Sequence, residues 1–334
     1  MDVTTVADDL VVLHEGEQAH SFPGLRPDTV HELNGVAVRT LARPGGELLS
    51  RFATVNDVHF GELEAGRIDD SELGPIQRAD PGEPPYPETM SRGAAAEIAE
   101  LDPAALVAKG DLTNDGTDEE FATFGHVYGE AFGGRLHIMR GNHDAYRGQT
   151  RYQGDQIVDL PGVRLALLDT VIPTETTGRI LAAQLDWLDA AAADADRPVV
   201  VLGHHQSWEP GTARAPNYFG INPDDSERLV TVVARRSRIV AYAAGHTHRN
   251  RVRRTAATGH VPYIEVACVK DFPGSWAEYR VYEGGIMQVH HRISTPGALR
   301  WSERCRHLYA DFGVDYETYA LGGLEDRCFT VSIR

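Results

Sequence analysis

Five short stretches of the 334-residue sequence concentrate histidine and aspartate. They are Asp57-Val58-His59, Gly110-Asp111-Leu112-Thr113-Asn114, Gly141-Asn142-His143-Asp144, Gly203-His204-His205 and Gly245-His246-Thr247-His248. Together they offer carboxylates, imidazoles and one carboxamide, without a thiolate. That donor set suits first-row divalent cations, and two such ions side by side suit phosphoester hydrolysis. Each stretch alone is a weak signal, because a histidine at a strand end is more often a hydrogen-bonded core or surface residue. Their weight comes from all five occurring in order, each after an apolar run.

Those apolar runs are the elements that must position the chemistry. Phe52-Ala53-Thr54-Val55 reads as a strand ending at Asp57 and His59, and Ala105-Leu106-Val107-Ala108 as one ending at Asp111. Leu136-His137-Ile138-Met139 leads to Asn142 and His143, Val199-Val200-Val201-Leu202 to His204, and Ile239-Val240-Ala241-Tyr242-Ala243 to His246. Residues 163–168 form a further strand. Helical stretches fall between the strands, at about 89–101, 116–132, 181–193 and 226–236. Apolar strands alternating with helices indicate sheets covered on their outer faces. In such sheets ligands gather beyond the carboxyl ends of the strands, where all five motifs sit. The glycines before Asp111, Asn142, His204 and His246 fit tight turns in which backbone passes close to an ion.

The rest of the chain frames this body. Residues 1–50 hold short β-like pieces, such as 10–13 and 36–41, and read as a β-rich extension. Residues 51–295 form the catalytic domain, and residues 296–334 an irregular C-terminal extension. Residues 61–88 make a long acidic, proline-rich loop after the first ligand strand. A loop of that length serves as a functional lid or is disordered. Strands without helices follow residue 251, and the pair His290-His291 reads as solvent-facing on an edge strand. Trp276 and Tyr279 read as core.

Composition narrows the partners. With 32 basic and 49 acidic residues the formal charge is −17, which disfavours a nucleic-acid polymer as substrate. Three widely spaced cysteines, Cys268, Cys305 and Cys328, argue against a disulfide framework and for a reducing compartment. Neither a secretory leader nor a long apolar run is present, so the expectation is a cytoplasmic protein not anchored to a membrane.

In order and spacing, the five motifs resemble those of the calcineurin-like metallophosphoesterases, over about residues 51–250. Gly178 and Gln184-Leu185-Asp186-Trp187-Leu188 also resemble a helix start in the bacterial class III cyclic-nucleotide phosphodiesterase branch. The resemblance implies a four-layer αββα sandwich of two mixed sheets flanked by helices. It implies two divalent transition-metal ions, drawn from Mn, Fe, Zn or Co. Carried over by position, Asp57, His59, Asp111 and His248 hold one ion, and Asp111, Asn142, His204 and His246 the other. His204 is chosen over His205 because the family's ligand directly follows the strand and its glycine. Asn114 departs from the pattern, since many members carry Asp there; that position is not expected to ligate metal.

The implied mechanism follows from charge. Two ions roughly 3.5–4 Å apart share a water, lower its pKa and neutralise phosphoryl oxygens, and the bridging hydroxide attacks phosphorus in line. His143 resembles the family's catalytic histidine, which stabilises phosphoryl charge or protonates the leaving oxygen. Asp144 beside it would favour its protonated form, or would simply stabilise the turn. The substrate expected is a small phosphodiester such as a 3′,5′-cyclic nucleotide. The alternatives are a phosphomonoesterase acting on a nucleotide or sugar phosphate, and a non-catalytic interaction module on the same fold. The C-terminal segment is a candidate surface for a homodimer.

Overall fold

The computed structural model describes residues 1–209, 211–214 and 218–333. Two six-stranded mixed sheets face each other. In the first, the order is Phe329–Ser332, Gly285–Arg292, Ser275–Tyr282, Leu48–Val55, Ala105–Lys109, Leu136–Met139. In the second it is Arg251–Arg254, Pro262–Glu265, Ile239–Ala244, Val199–Gly203, Val163–Leu168, Gln156–Leu160. The strands that lead into the motifs run parallel to their neighbours among these: 48–55, 105–109 and 136–139 in one sheet, 199–203 and 239–244 in the other.

Strand periodicity builds the layers. Successive side chains point to opposite faces, so Ala105 and Val107 enter the core between the sheets while Leu106 and Ala108 meet helices. Val200 and Leu202 likewise join the inter-sheet core, and Val199 and Val201 face outward. Over the first sheet lies the helix Tyr86–Glu100, whose Tyr86, Met90, Ala94 and Ile98 form one buried stripe at four-residue spacing. Over the second lie Ala182–Ala193, through Leu185 and Leu188, and Pro223–Arg235, through Leu229, Val232 and Val233. Burying each large apolar side chain contributes about 1.5–3 kcal/mol. The result is the four-layer αββα arrangement expected.

Two expectations need correction. The segment after residue 295 is ordered, with helices Pro296–Arg304, Tyr316–Leu321 and Leu324–Arg327, then the edge strand Phe329–Ser332. Each piece is too short to display a period in the sequence. Its Ala298, Trp301, Cys305, Leu308, Tyr316 and Ala320 pack in the core beneath the helix Tyr86–Glu100. Phe329–Ser332 takes the edge beside Gly285–Gln288, and beyond that pairing the N-terminal strand Asp2–Val6 covers His290, whose Nδ1–H donates to the Thr4 carbonyl at 3.2 Å, so His290 and His291 do not face solvent. His290 is 1% exposed, and His291 stacks on Trp276 at 4.0 Å and contacts Glu278. Trp276 and Tyr279 are core residues, as expected. The three cysteines are free and buried. No helix among the described residues is long and apolar enough to cross a membrane.

Candidate metal centre

The five motifs converge where the carboxyl ends of the two sets of parallel strands meet. Backbone bonds knit the turns together: Asp57 N–H donates to the Gly110 carbonyl at 3.1 Å, and Gly245 N–H to the His204 carbonyl at 2.9 Å. Lys109, the last residue of its strand and fully buried, donates its ammonium to the Ala244 carbonyl at 2.8 Å, joining the sheets beneath the site.

Close approach explains the glycines. A Cβ on Gly110 would lie 2.5 Å from His204 Nδ1, and one on Gly141 would lie 2.2 Å from Asp111 Oδ1. One on Gly203 would strike the Tyr242 hydroxyl, and one on Gly245 the Asp57 carboxylate. The residues that follow are strained in turn. Asp57, His59, Asp111, His246 and His248 all have positive φ, between 48 and 67°. Such conformations cost side-chain-bearing residues about 1–3 kcal/mol each, and cluster at functional sites.

The side chains form overlapping clusters. Ligand atoms of Asp57, His59 and His248 lie within 4.8 Å of one another, as do those of Asp57, Asp111 and His204, and of His59, Asp111 and His143. Asp111 sits centrally, its Oδ2 3.6 Å from His59 Nε2 and 3.3 Å from His204 Nε2. Asn142 Oδ1 is 3.0 Å from the same His204 nitrogen. His246 joins through its ring, 5.0 Å from that of His204.

Two observations test whether cations fit. Both ring nitrogens of His59 are buried and lack any hydrogen-bond partner, an arrangement that costs free energy unless something else binds there. His204 donates Nδ1–H to the Lys109 carbonyl at 2.8 Å. Its Nε2 lone pair then faces two oxygen acceptors, which only a shared cation or a proton can reconcile. Burial alone would lower its pKa, but Asp111 and Asp57 push it up to about 9. Hard oxygens and imidazoles converging in this way match divalent transition metals.

His205 is placed differently from its neighbour. Its Nδ1 takes the Thr170 hydroxyl at 2.8 Å and its Nε2 donates to the Thr176 carbonyl at 3.2 Å, so both nitrogens are engaged by protein. His143 donates Nδ1–H to the Asn114 carbonyl at 2.7 Å, leaving Nε2 as its free nitrogen. That contact uses the backbone of Asn114, so the departure from Asp at this position leaves it intact. Asp144 does not pair with the His143 ring. Its carboxylate accepts from the N–H groups of Leu112, Thr113 and Gly141 and from the Thr113 hydroxyl, pinning one motif turn to the next.

Sequence reasoning missed several neighbours of the site. Tyr146 accepts the Asn142 amide N–H at 2.7 Å and so turns the amide oxygen toward His204. Lys270 and Glu62 pair beside the site, the latter from the 61–88 loop. Asp271 lies 3.9 Å from His248. The one signal that could have found Lys109 is its place immediately before Gly110; the others stand in no motif.

Comparison with known proteins gives a consistent picture. The calcineurin-like phosphoesterase family pattern matches residues 50–250. A probable cyclic nucleotide phosphodiesterase of a Synechococcus strain is 25% identical over 169 residues, covering 48% of this chain and 65% of its own length. The glycerophosphodiester phosphodiesterase GpdQ of Enterobacter lignolyticus is 28% identical over 178 residues, covering 48% of this chain and 63% of its own. The matches thus span less than two thirds of these relatives. Among solved structures, a dimetal phosphatase from Danio rerio superposes with a TM-score of 0.57 at 16% identity, covering 74% of this chain and 97% of that one. At that identity the likeness concerns the fold alone.

Proposed function

The chain belongs to the calcineurin-like phosphoesterase family, and from that premise we propose that it is a dinuclear-metal phosphodiesterase acting on a small diester such as a 3′,5′-cyclic nucleotide. The observation that carries the reading is the shared Asp57–Asp111–His204 cluster, with partnerless His59 beside it. Asp57, His59, Asp111 and His248 would hold one ion, and Asp111, Asn142, His204 and His246 the other. When bound, the ions supply an activated water and neutralise phosphoryl charge.

The remaining steps belong to the chain's own groups. His143, fixed through Nδ1 by Asn114, presents Nε2 to the substrate. There it donates a proton to the departing ester oxygen, worth about 10²–10⁴-fold in rate. Asp144 acts at one remove, as a positioning residue that holds the turns carrying Asp111 and His143. His205, with both nitrogens engaged, supports the wall rather than the ions. Phe219 is 42% exposed and its ring lies 5.1 Å from that of His246; an exposed aromatic face there can stack a nucleobase. The two relatives named for diesters point the same way.

The test is a panel of cyclic nucleotides, bis(p-nitrophenyl) phosphate and p-nitrophenyl phosphate with Mn²⁺ added. Diester turnover that collapses in His143→Ala is expected. Monoester turnover faster than diester turnover would overturn the diester assignment and favour a phosphomonoesterase.

A further inference from the structure

Three of the four histidines proposed to hold ions have a second ring nitrogen with a defined neighbour. His204 gives Nδ1–H to the Lys109 carbonyl at 2.8 Å, and His246 gives Nε2–H to the Phe219 carbonyl at 2.9 Å. His248 differs, because its Nδ1 faces a carboxylate, Asp271 Oδ2, at 3.9 Å. Its Nε2 lies on the other side, 3.7 Å from Asp57.

Asp271 is fully buried and only half satisfied. Oδ1 accepts the Tyr316 hydroxyl at 2.7 Å and the Cys268 thiol at 3.0 Å. Oδ2 bonds nothing. Lys270 Nζ is 4.0 Å from it but is held by Glu62 at 2.7 Å. An unsatisfied buried carboxylate oxygen is expensive, and the His248 imidazole, with Nδ1 3.9 Å away, is a donor facing it. A carboxylate behind a ligating imidazole fixes its tautomer and raises its basicity more than a neutral carbonyl does.

The carboxylate is itself anchored from outside the matched stretch of residues 50–250. Tyr316 lies in the C-terminal segment, whose Tyr319 hydroxyl donates to the Thr247 carbonyl at 2.9 Å. The Ala320 carbonyl accepts the Asn250 N–H at 3.0 Å. The segment therefore grips the turn that carries His246 and His248 as well as the carboxylate behind it.

We propose that Asp271 is the positioning residue for His248, and that the C-terminal segment, acting through Tyr316, sets the affinity of the ion that His248 holds. This rests on the metal reading above, and the experiment separates the two. Mn²⁺ is titrated calorimetrically into the metal-stripped full chain, wild type and the variants Asp271→Asn and Tyr316→Phe. The wild type is expected to bind two equivalents; binding none overturns the metal reading itself. In Asp271→Asn one equivalent weakens about 10–100-fold while the other is unchanged, and Tyr316→Phe shifts the same equivalent in the same direction. Thermal unfolding of the metal-free variants checks folding, and Tyr316→Phe decides the matter if Asp271→Asn does not fold. Wild-type affinity at both equivalents, or equal weakening of both, overturns the proposal, since a merely structural role would not single out one ion.

Discussion

The backbone N–H of His246 donates to both carboxylate oxygens of Asp57, at 3.1 and 3.0 Å, across 189 residues of sequence. One carboxylate thus serves as a backbone anchor as well as a candidate ligand. Its burial, offset by His204 and reinforced by Asp111, holds its pKa up to about 6. Without ions Asp111 and His204 stabilise each other's charge, and Asp57 is the carboxylate whose ionised form burial disfavours. Asp57→Asn should therefore lower diesterase activity by at least about 100-fold, the upper end of what outer partners of a ligand cost. The same change should raise the melting temperature of the metal-free protein at neutral pH, because burial disfavours the ionised form of Asp57 in the folded chain. Activity assays and metal-free calorimetric scans check both halves; a lower metal-free melting temperature would contradict the second.

The adjacent pair His204 and His205 offers a sharper discrimination. His204→Ala should lose one of two bound ions, because Nε2 is aimed at Asp111 and Asn142. His205→Ala should keep both, because its nitrogens bond Thr170 and Thr176. Elemental analysis of the purified variants reads the difference directly.

Gly110 combines two constraints, a φ of +86° and a neighbour at 2.5 Å. Gly110→Ala is expected to cost about 1–3 kcal/mol in backbone strain alone. The displaced His204 should also weaken ion binding. Urea denaturation of the metal-free protein isolates the first effect, and metal titration the second.

Acid should loosen the N-terminal sheet. His14 is fully buried between the Thr4 and Ser294 hydroxyls, at 2.7 and 3.0 Å. Burial, reinforced by Arg292, lowers its pKa to about 3. Above pH ~6.5, the ordinary histidine value, folded and unfolded chains are both neutral at this position and no penalty arises. As pH falls below that, the unfolded chain takes up the proton first, and stability drains away until the folded pKa is reached. At pH 5 the loss is about 2 kcal/mol. Melting temperatures from pH 7 to 5 should fall more steeply in the wild type than in His14→Gln, and equal slopes would refute the assignment.

The convergence of the five motifs was legible in the sequence because their residues stand immediately after strands that announce themselves by apolar runs. The layers were legible for the same reason, since Ala105 through Ala108 can alternate faces only if both faces are covered. What stayed hidden depends on contacts between distant segments. Nothing near His290 indicates that the N-terminal strand Asp2–Val6 will cover it, with the Thr4 carbonyl accepting from its ring. Asp271 and Tyr316 carry no motif, and their meaning appears only when Tyr316 reaches the carboxylate. Asp144 was visible, but its partners were not: side-chain identity could not reveal that it would bond three backbone N–H groups rather than an imidazole.

The positive φ angles at Asp57, His59, Asp111, His246 and His248 bear on which replacements the site can accept. Asp, Asn and His are the side-chain-bearing residues that tolerate this region best. The backbone thus screens the amino-acid alphabet before coordination chemistry does. Glutamate or cysteine at these positions would bring a competent donor atom and still be penalised by the main chain. Routes by which such a centre could drift toward a different metal preference are correspondingly few. They run through Asn142 and His204, the two proposed ligands free of that constraint.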